Sequence, residues 1–158
     1  MTTIDPSNLF GFLIQDLARL LSRSFERTAD NLTITRAQAR VLAFVAMREG
    51  PTQSEVAALM DIQKIALTKL VDGLEAQHLL FRRPDPKDRR IRRLYMTDKS
   101  HAVLASIWSV LAEVSEQALS VLPPDRQAAI LHDLAIVRAS MNNSEAGTNG
   151  KQSTEAKP

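Results

Sequence analysis

The chain has 158 residues, of which 44% are apolar and 24% charged, and its formal net charge is +2. This composition is typical of a globular protein of one domain or two fused lobes. Cysteine is absent, which excludes a disulfide framework, a thiolate metal site and a thiol redox switch. The N-terminal segment has no basic residue ahead of its apolar ones, so it predicts neither a signal peptide nor a membrane span. The expected location is the cytoplasm.

The first segment, from about Asp5 to Asn31, has apolar residues at three- and four-residue spacing, which predicts a long amphipathic helix. Asp5 is the expected N-cap and Pro6 the first helical residue. A helix of this length on a small domain needs a partner surface. The apolar positions are Leu9, Leu13, Leu17, Leu20, Leu21 and Phe25.

Two capping-box patterns mark the next helix starts, at Thr35 to Gln38 and at Thr52 to Glu55. In this motif a hydroxyl and a side chain three residues later satisfy backbone N–H groups that lack a helical partner. The helix that starts at Thr35 is expected to end at Gly50-Pro51. The helix that starts at Thr52 is short, and a turn follows at Met60-Asp61.

A fourth helix is predicted from about Gln63 to Gln77, with an apolar face of Leu67, Leu70, Val71 and Leu74. Small, amide and basic side chains occupy the opposite face near the N-terminus of the helix. Such a face suits the major groove of DNA. An ordinary solvated face explains the same residues equally well at this point.

Two strand-like runs, at Leu79–Phe81 and Ile91–Met96, flank a loop with two prolines, and together they predict a β-hairpin. Seven basic and two acidic residues lie between Arg82 and Arg93, so this stretch has a net charge of +5 and the rest of the chain sums to −3. Surface pairing with acids would use some of these cations. Several remain for DNA phosphates or a narrow minor groove, at Lys87, Arg89 and Arg90.

Another helix is expected to start at Thr97-Asp98 and to reach about Leu122, with apolar residues on more than one face. A final helix follows Pro123-Pro124. A monomer of this size could hardly bury both helices, so they predict a helical dimer interface. Residues 142–158 are polar, without an aliphatic run, and are expected to form a disordered tail.

The order of these elements resembles the MarR family of winged-helix transcriptional regulators, nearest to its SlyA-like branch. The resemblance rests on TRAQARVL, TQSEVAALM, LTKLVDGLE and above all RRPDPKDRR followed by LYMT. It implies a mainly α fold with a small β-hairpin wing. Residues 5–34 and 98–141 would form the helical dimerisation region, and residues 35–97 the winged helix-turn-helix lobe.

The resemblance further implies a homodimer on a pseudo-palindromic operator of double-stranded DNA. The fourth helix would enter the major groove and Arg90 the minor groove, while Asp88 would orient Arg90 or a neighbouring arginine. The full set of expected DNA-interface residues is Gln53, Ser54, Gln63, Lys64, Ala66, Thr68, Lys69, Lys87, Asp88, Arg89 and Arg90.

Four positions depart from the family pattern. His78 stands where Gly is usual, at a turn that needs a left-handed backbone. Gly73 replaces a frequent Arg, and Ser100 replaces the usual Gly or Ala. Ala39 replaces an aromatic that is common in the SlyA-like branch. The missing aromatic weakens the expectation of a site that stacks a flat ligand.

In this family small aromatic acids often release the protein from DNA. Arginines near the expected crevice could pair with a carboxylate, and aromatic side chains could form its walls, although surface arginines and core aromatics are the commoner explanation. The candidates are Phe12, Arg19, Arg36, Arg40, Phe44 and Trp108. The histidines lack metal-site spacing, and no cofactor is expected.

Two functions therefore compete. The first is a DNA-binding regulator, most simply a repressor released by a small aromatic or phenolic ligand. The second is a winged-helix module that binds a protein partner through the same surface, with Ile65 as its energetic centre. An enzyme has little support, because the sequence has no nucleophile elbow, glycine-rich phosphate loop or suitably spaced carboxylate pair.

Overall fold

The computed structural model describes residues 9–152, with residues 144–152 described as helix backbone only. This part of the chain is mainly helical and contains one two-stranded antiparallel sheet. The predicted helix start at Asp5-Pro6 lies outside the described residues. The elements are α1 (Phe10–Thr28), α2 (Arg36–Ala46), α3 (Gln53–Met60), α4 (Lys64–Ala76), β1 (Leu80–Pro84), β2 (Arg92–Met96), α5 (Ser100–Leu119) and α6 (Pro124–Gln152).

Both predicted capping boxes are present. The Thr35 hydroxyl accepts from the Gln38 N–H, and the Gln38 side chain accepts from the Thr35 N–H. Thr52 and Glu55 repeat the arrangement at the start of α3. The hydrogen bond from the Thr52 N–H lowers the pKa of the Glu55 carboxyl.

The core of the winged-helix lobe, residues 35–97, forms where α2, α3 and α4 pack against the hairpin. Leu67, Val71 and Leu74 are fully buried on one face of α4, as their spacing predicts. Ile107 of α5 and Phe25 of α1 join the same cluster. Each such buried side chain stabilises the fold by about 1.5–3 kcal/mol.

The two helices of the helix-turn-helix, α3 and α4, both end in Schellman motifs. After α3, the Ile62 N–H donates to the Ala57 carbonyl and Asp61 takes a positive φ of 52°. After α4, the Leu79 N–H donates to the Leu74 carbonyl and His78 takes a φ of 57°. These geometries satisfy the last helical carbonyls, and the predicted turn at Met60-Asp61 is confirmed.

The hairpin pairs β1 with β2 in the register Leu80 to Met96 through Pro84 to Arg92. The segment before α3 extends this sheet, because the Leu94 N–H donates to the Pro51 carbonyl at 2.9 Å. Thr52 and Arg93 form an isolated antiparallel bridge at the same place. The wing, residues 80–96, is therefore joined to the helix-turn-helix by backbone hydrogen bonds.

Two predicted boundaries are wrong in detail. α2 ends at Ala46, before the expected Gly50-Pro51. Gly50 instead takes a φ of +58°, and its Cα lies so close to Tyr95 that an added Cβ would be 2.7 Å from the hydroxyl. Glycine is needed there to let the chain pass close to the wing.

The predicted cap at Thr97 is also different. α5 begins at Ser100, and the Thr97 hydroxyl donates to the His78 carbonyl at 2.7 Å. The Lys99 ammonium donates to the neighbouring Gln77 carbonyl at 3.0 Å. Thr97 and Lys99 thus bond to the end of α4, where a cation is also favoured by the helix dipole.

The described chain divides after Ser115 into two compact units. The second unit contains α6, which continues to Gln152, so the disorder expected from residue 142 is not found for residues 142–152. No proline interrupts this stretch, and the helical hydrogen-bond pattern can continue through it. Residues 153–158 of the predicted tail lie outside the described residues.

Candidate nucleic-acid interface

The N-terminal turns of α4 carry most of the predicted major-groove residues. Gln63 is the N-cap, and its side chain makes no capping hydrogen bond. The Thr68 hydroxyl donates to the Lys64 carbonyl at 2.9 Å within the helix, and its oxygen can still accept a hydrogen bond. The exposed residues of this face are Gln63, Lys64, Ile65, Ala66, Thr68 and Lys69.

The start of α3 places Gln53 and Ser54 differently. Ser54 is exposed, as a phosphate contact requires. Gln53 is half-buried, and its amide oxygen accepts from Arg82 Nε at 3.2 Å. Gln53 therefore helps to hold the wing, and its amide N–H groups are the part left for another partner.

Arg82 joins three elements of the lobe. Its guanidinium pairs with Glu75 and lies 2.8 Å from the Asp72 carboxylate, both on α4. The same group reaches the Thr68 carbonyl of α4 and Gln53 of α3. Because these contacts use the guanidinium within the lobe, Arg82 sets the position of the wing against α4 and is not counted among the phosphate ligands.

Asp85 and Arg93 organise the wing loop. The buried Asp85 carboxylate accepts from the Lys87 and Asp88 N–H groups and from Arg93 Nε at 2.5 Å. The Lys87 N–H and the Arg93 guanidinium lower the pKa of Asp85, and the same carboxylate raises the pKa of Arg93. Arg93 also donates to the Gly50 carbonyl at 2.7 Å, which ties the loop to the start of α3.

Arg83 stacks on the exposed face of the hairpin. Its guanidinium carbon lies 4.9 Å from the Phe81 ring centroid and 5.6 Å from that of Tyr95. The two rings stack on each other at 5.6 Å. These are cation–π contacts, so the charge of Arg83 has a fixed position on the wing surface.

The exposed cations of the loop are Lys87, Arg89 and Arg90, and the exposed Arg92 follows at the start of β2. Arg90 has a side chain that is 95% exposed, and its Nε lies 3.6 Å from the Asp88 carboxylate. The Asp88 carboxylate also accepts from the Arg90 backbone N–H at 2.9 Å. Asp88 thus holds the backbone of Arg90 while the Arg90 side chain extends into solvent.

The sequence identified the exposed loop cations but not the structural roles of Arg82, Asp85 and Arg93. Their partners lie as far as 43 residues away along the chain, and no local pattern predicts such pairing. The one available signal was Asp85 after proline in a turn, where Asx hydrogen bonds are common.

The candidate ligand residues are only partly brought together. Arg40 lies 5.9 Å above the Phe44 ring on α2. Arg19 bonds to Asp16 at 3.0 Å on α1, and Arg36 lies 3.9 Å from Glu26. Phe12 and Trp108 are exposed by 58% and 39%. Among the residues that the structure describes, no group of three or more metal-binding side chains occurs.

One helix in the described part of the chain, α5, is long and apolar enough to cross a membrane by length and composition. A single helix of this kind is weak evidence for a membrane span, since helices that pack in soluble proteins pass the same test. Ile107 of α5 packs into the core of the lobe.

A helix-turn-helix joined to a basic β-hairpin defines a winged-helix DNA-binding protein. The sequence model of the MarR family matches residues 32–91. The match to the family covers most of the winged-helix lobe, and the described fold is that of MarR-family winged-helix regulators.

Individual relatives agree with this assignment. The chain is similar to the transcriptional repressor MdtR of Bacillus subtilis, with 25% identity, over 75% of this chain and 77% of that protein. It is 34% identical over 86 residues to a proposed regulatory protein for the hcr operon of Thauera aromatica, over 54% and 52% of the two chains. The structure of the repressor CouR bound to a 23-mer DNA duplex superposes with a TM-score of 0.72 and 27% identity, over 87% of this chain and 98% of that chain.

Proposed function

We propose that this protein is a homodimeric repressor that binds a pseudo-palindromic operator and is released by a small aromatic or phenolic ligand. The observation that supports the proposal is that one lobe exposes two surfaces suited to DNA. These are the exposed N-terminal turns of α4 and the exposed cations of the wing loop. An operator-binding protein acts where the DNA is, so we place it in the cytoplasm.

The wing loop is suited to phosphates or a narrow minor groove. Its three exposed cations, Lys87, Arg89 and Arg90, outnumber the one acid at the loop surface, Asp88, because Asp85 is buried and paired with Arg93. Asp88 holds the Arg90 backbone and has only a long contact with the Arg90 side chain. Such a cation gives up little interaction energy within the protein when it moves from water to a phosphate.

The test uses duplexes selected from a random-sequence pool, with binding measured across a series of salt concentrations. Arg90→Ala should weaken binding and reduce the salt slope by about 0.9 for each phosphate that the Arg90 side chain neutralises. Arg27→Ala is the matched control, because Arg27 lies on α1 and bonds to Ser24 on the same helix. An unchanged affinity and slope for Arg90→Ala would rule out the wing assignment.

The protein-interaction alternative has one supporting observation, the 72% exposure of Ile65. A partner protein held by this side chain would bind with little dependence on salt, and selection would recover no preferred duplex. Recovery of a preferred duplex with a steep salt slope decides against this alternative. A reporter gene placed behind the selected duplex then separates repression from activation, and we expect repression.

The ligand proposal is supported by the aromatic and cationic side chains around α2. Arg40 over Phe44 supplies a cation beside a ring, and a carboxylate could pair with this arginine. Trp108 is the one tryptophan of the chain and so reports on its own surroundings. The SlyA-like assignment stays a prediction, and Ala39, which is 2% exposed, gives no stacking surface to a flat ligand.

We expect 4-hydroxybenzoate, as a probe of this class, to change Trp108 fluorescence in a saturable way and to release the selected duplex. Arg40→Ala should weaken the affinity for this probe by about tenfold in both measurements, which is the size expected for one charge-assisted hydrogen bond. Arg23→Ala on α1 serves as the control. If a panel of aromatic carboxylates and phenols changes neither fluorescence nor DNA binding, the ligand proposal is wrong.

A further inference from the structure

One exposed side chain on α4 has no evident structural use. Ile65 is 72% exposed, the highest value for any large apolar residue of the winged-helix lobe. It is the second residue of α4, between the exposed Lys64 and Ala66. A β-branched residue is also a poorer helix former than alanine at such a site. Neither packing nor helix propensity accounts for isoleucine at this position.

The surroundings of Ile65 indicate what could cover it. Lys64 and Lys69 are exposed on the same helix, and the carboxylate of Asp72 lies 2.8 Å from Arg82. The wing adds five further exposed cations to the lobe, Arg83, Lys87, Arg89, Arg90 and Arg92. This apolar side chain therefore lies on a positively charged surface, which matches the charge of a DNA duplex.

The major groove offers one apolar feature, the C5 methyl group of thymine. The other groove-facing groups of the base pairs are hydrogen-bond donors and acceptors, which an isoleucine cannot satisfy. The N-terminal residues of a recognition helix are the ones that contact base edges. An isoleucine at this position favours contact with the methyl group of thymine over contact with the amino and carbonyl groups of the other base edges.

We propose that Ile65 is a specificity-determining residue that contacts a thymine methyl group in each half of the operator. This inference rests on the proposed function and adds the base that one side chain reads. Cytosine at the same position has a hydrogen atom in place of the methyl group, beside a polar amino group, while 5-methylcytosine would restore the methyl group.

The experiment is a cycle of protein and DNA changes on the selected duplex. Each thymine is replaced in turn by deoxyuridine, which lacks only the methyl group. For wild-type protein, one position in each half-site should weaken binding about fourfold, the effect of one buried methyl group. Ile65→Ala should bind about tenfold more weakly and should not distinguish thymine from deoxyuridine at that position.

Controls separate the methyl contact from other effects. Ile65→Val keeps a branched side chain and should retain most of the preference for thymine. Met47→Ala removes a side chain that is 68% exposed outside α4 and should leave the deoxyuridine profile unchanged. Circular dichroism should show that Ile65→Ala folds normally, because the side chain is exposed.

The outcomes are distinguishable. A preferred duplex that tolerates deoxyuridine at every thymine, or an Ile65→Ala protein with the wild-type deoxyuridine profile, overturns the inference and leaves the proposed function intact. Failure to select any preferred duplex overturns both. Partial recovery of binding when 5-methylcytosine replaces cytosine at the mapped position supports the contact independently of base hydrogen bonding.

Discussion

At the end of α4, a single side chain occupies a backbone conformation that favours glycine. His78 has a φ of 57°, and its N–H donates to the Glu75 carbonyl at 2.8 Å. For an L-residue this conformation costs roughly 1–2 kcal/mol. Asp61 has the same conformation after α3, but a short polar side chain such as Asp tolerates it better.

We therefore expect His78→Gly to raise the free energy of unfolding by about 1 kcal/mol, after the extra backbone entropy of glycine is taken into account. Urea unfolding at a fixed protein concentration measures this change. Gln77→Gly is the matched control. Because Gln77 has a φ of −87°, glycine at this position should lower the free energy of unfolding. Equal destabilisation by both changes would contradict the argument.

At the scale of elements, the starts of helices could be predicted and their tertiary attachments could not. Thr35 and Thr52 were identified because a capping box is a contact within four residues. The roles of Gly50 and of the Thr97 hydroxyl differ from the prediction because their contacts, Tyr95 and His78, are distant in sequence. Buried positions on α4 followed from helical periodicity, since one face must meet a core.

The same limit applied to the candidate interface. Charge counting predicts that some cations between Arg82 and Arg93 pair with acids and that Lys87, Arg89 and Arg90 remain free, but it does not predict the partners of the paired ones. Arg82 bonds to α4 and α3, and Arg93 to Gly50. Local composition could indicate a basic surface, but it could not show which cations are already paired.

The stability that the wing contributes should also decrease in acid. The pKa of Asp85 lies below its ordinary value of 3.8 because the carboxylate accepts from the Lys87 N–H and from Arg93. The ionised group therefore stabilises the fold fully above pH 3.8, and this contribution is lost as the pH falls through the lowered pKa. Glu55, whose pKa is also lowered, acts in the same direction.

Asp85→Asn should thus be less stable than wild type at pH 7, and the difference should shrink at pH values below the lowered pKa. Urea midpoints at a series of pH values measure it. Asp30→Asn, a change at an exposed carboxylate, is the control and should show no such convergence. A constant difference at all pH values would contradict the role assigned to the carboxylate.

At the scale of the whole molecule, apolar surface remains uncovered on several helices. Phe25 is the one buried residue of α1, whereas eight large apolar residues between Leu9 and Leu21 are exposed. Trp108 and Leu111 of α5 are each 39% exposed. α6, taken by itself, exposes Ile130, Leu131, Leu134, Ile136, Val137 and Met141. Surfaces of this kind mark sites of association.

We expect light scattering to show a dimer at micromolar concentration. Leu17→Glu should shift it toward monomer, because a charge would be buried at the centre of α1 without a partner. Gln15→Glu adds the same charge on the same helix at an exposed polar position and is the control. A monomeric wild-type protein at this concentration would show that the dimer proposal is wrong.

The contacts of Arg82 have a consequence for how such a dimer could release DNA. One guanidinium joins the recognition helix, the helix before it and the first strand of the wing. These three elements should then move as one rigid body, which fixes the spacing between α4 and the wing loop. A ligand would have to change the distance or tilt between the two lobes, so that both half-sites could no longer be matched at once.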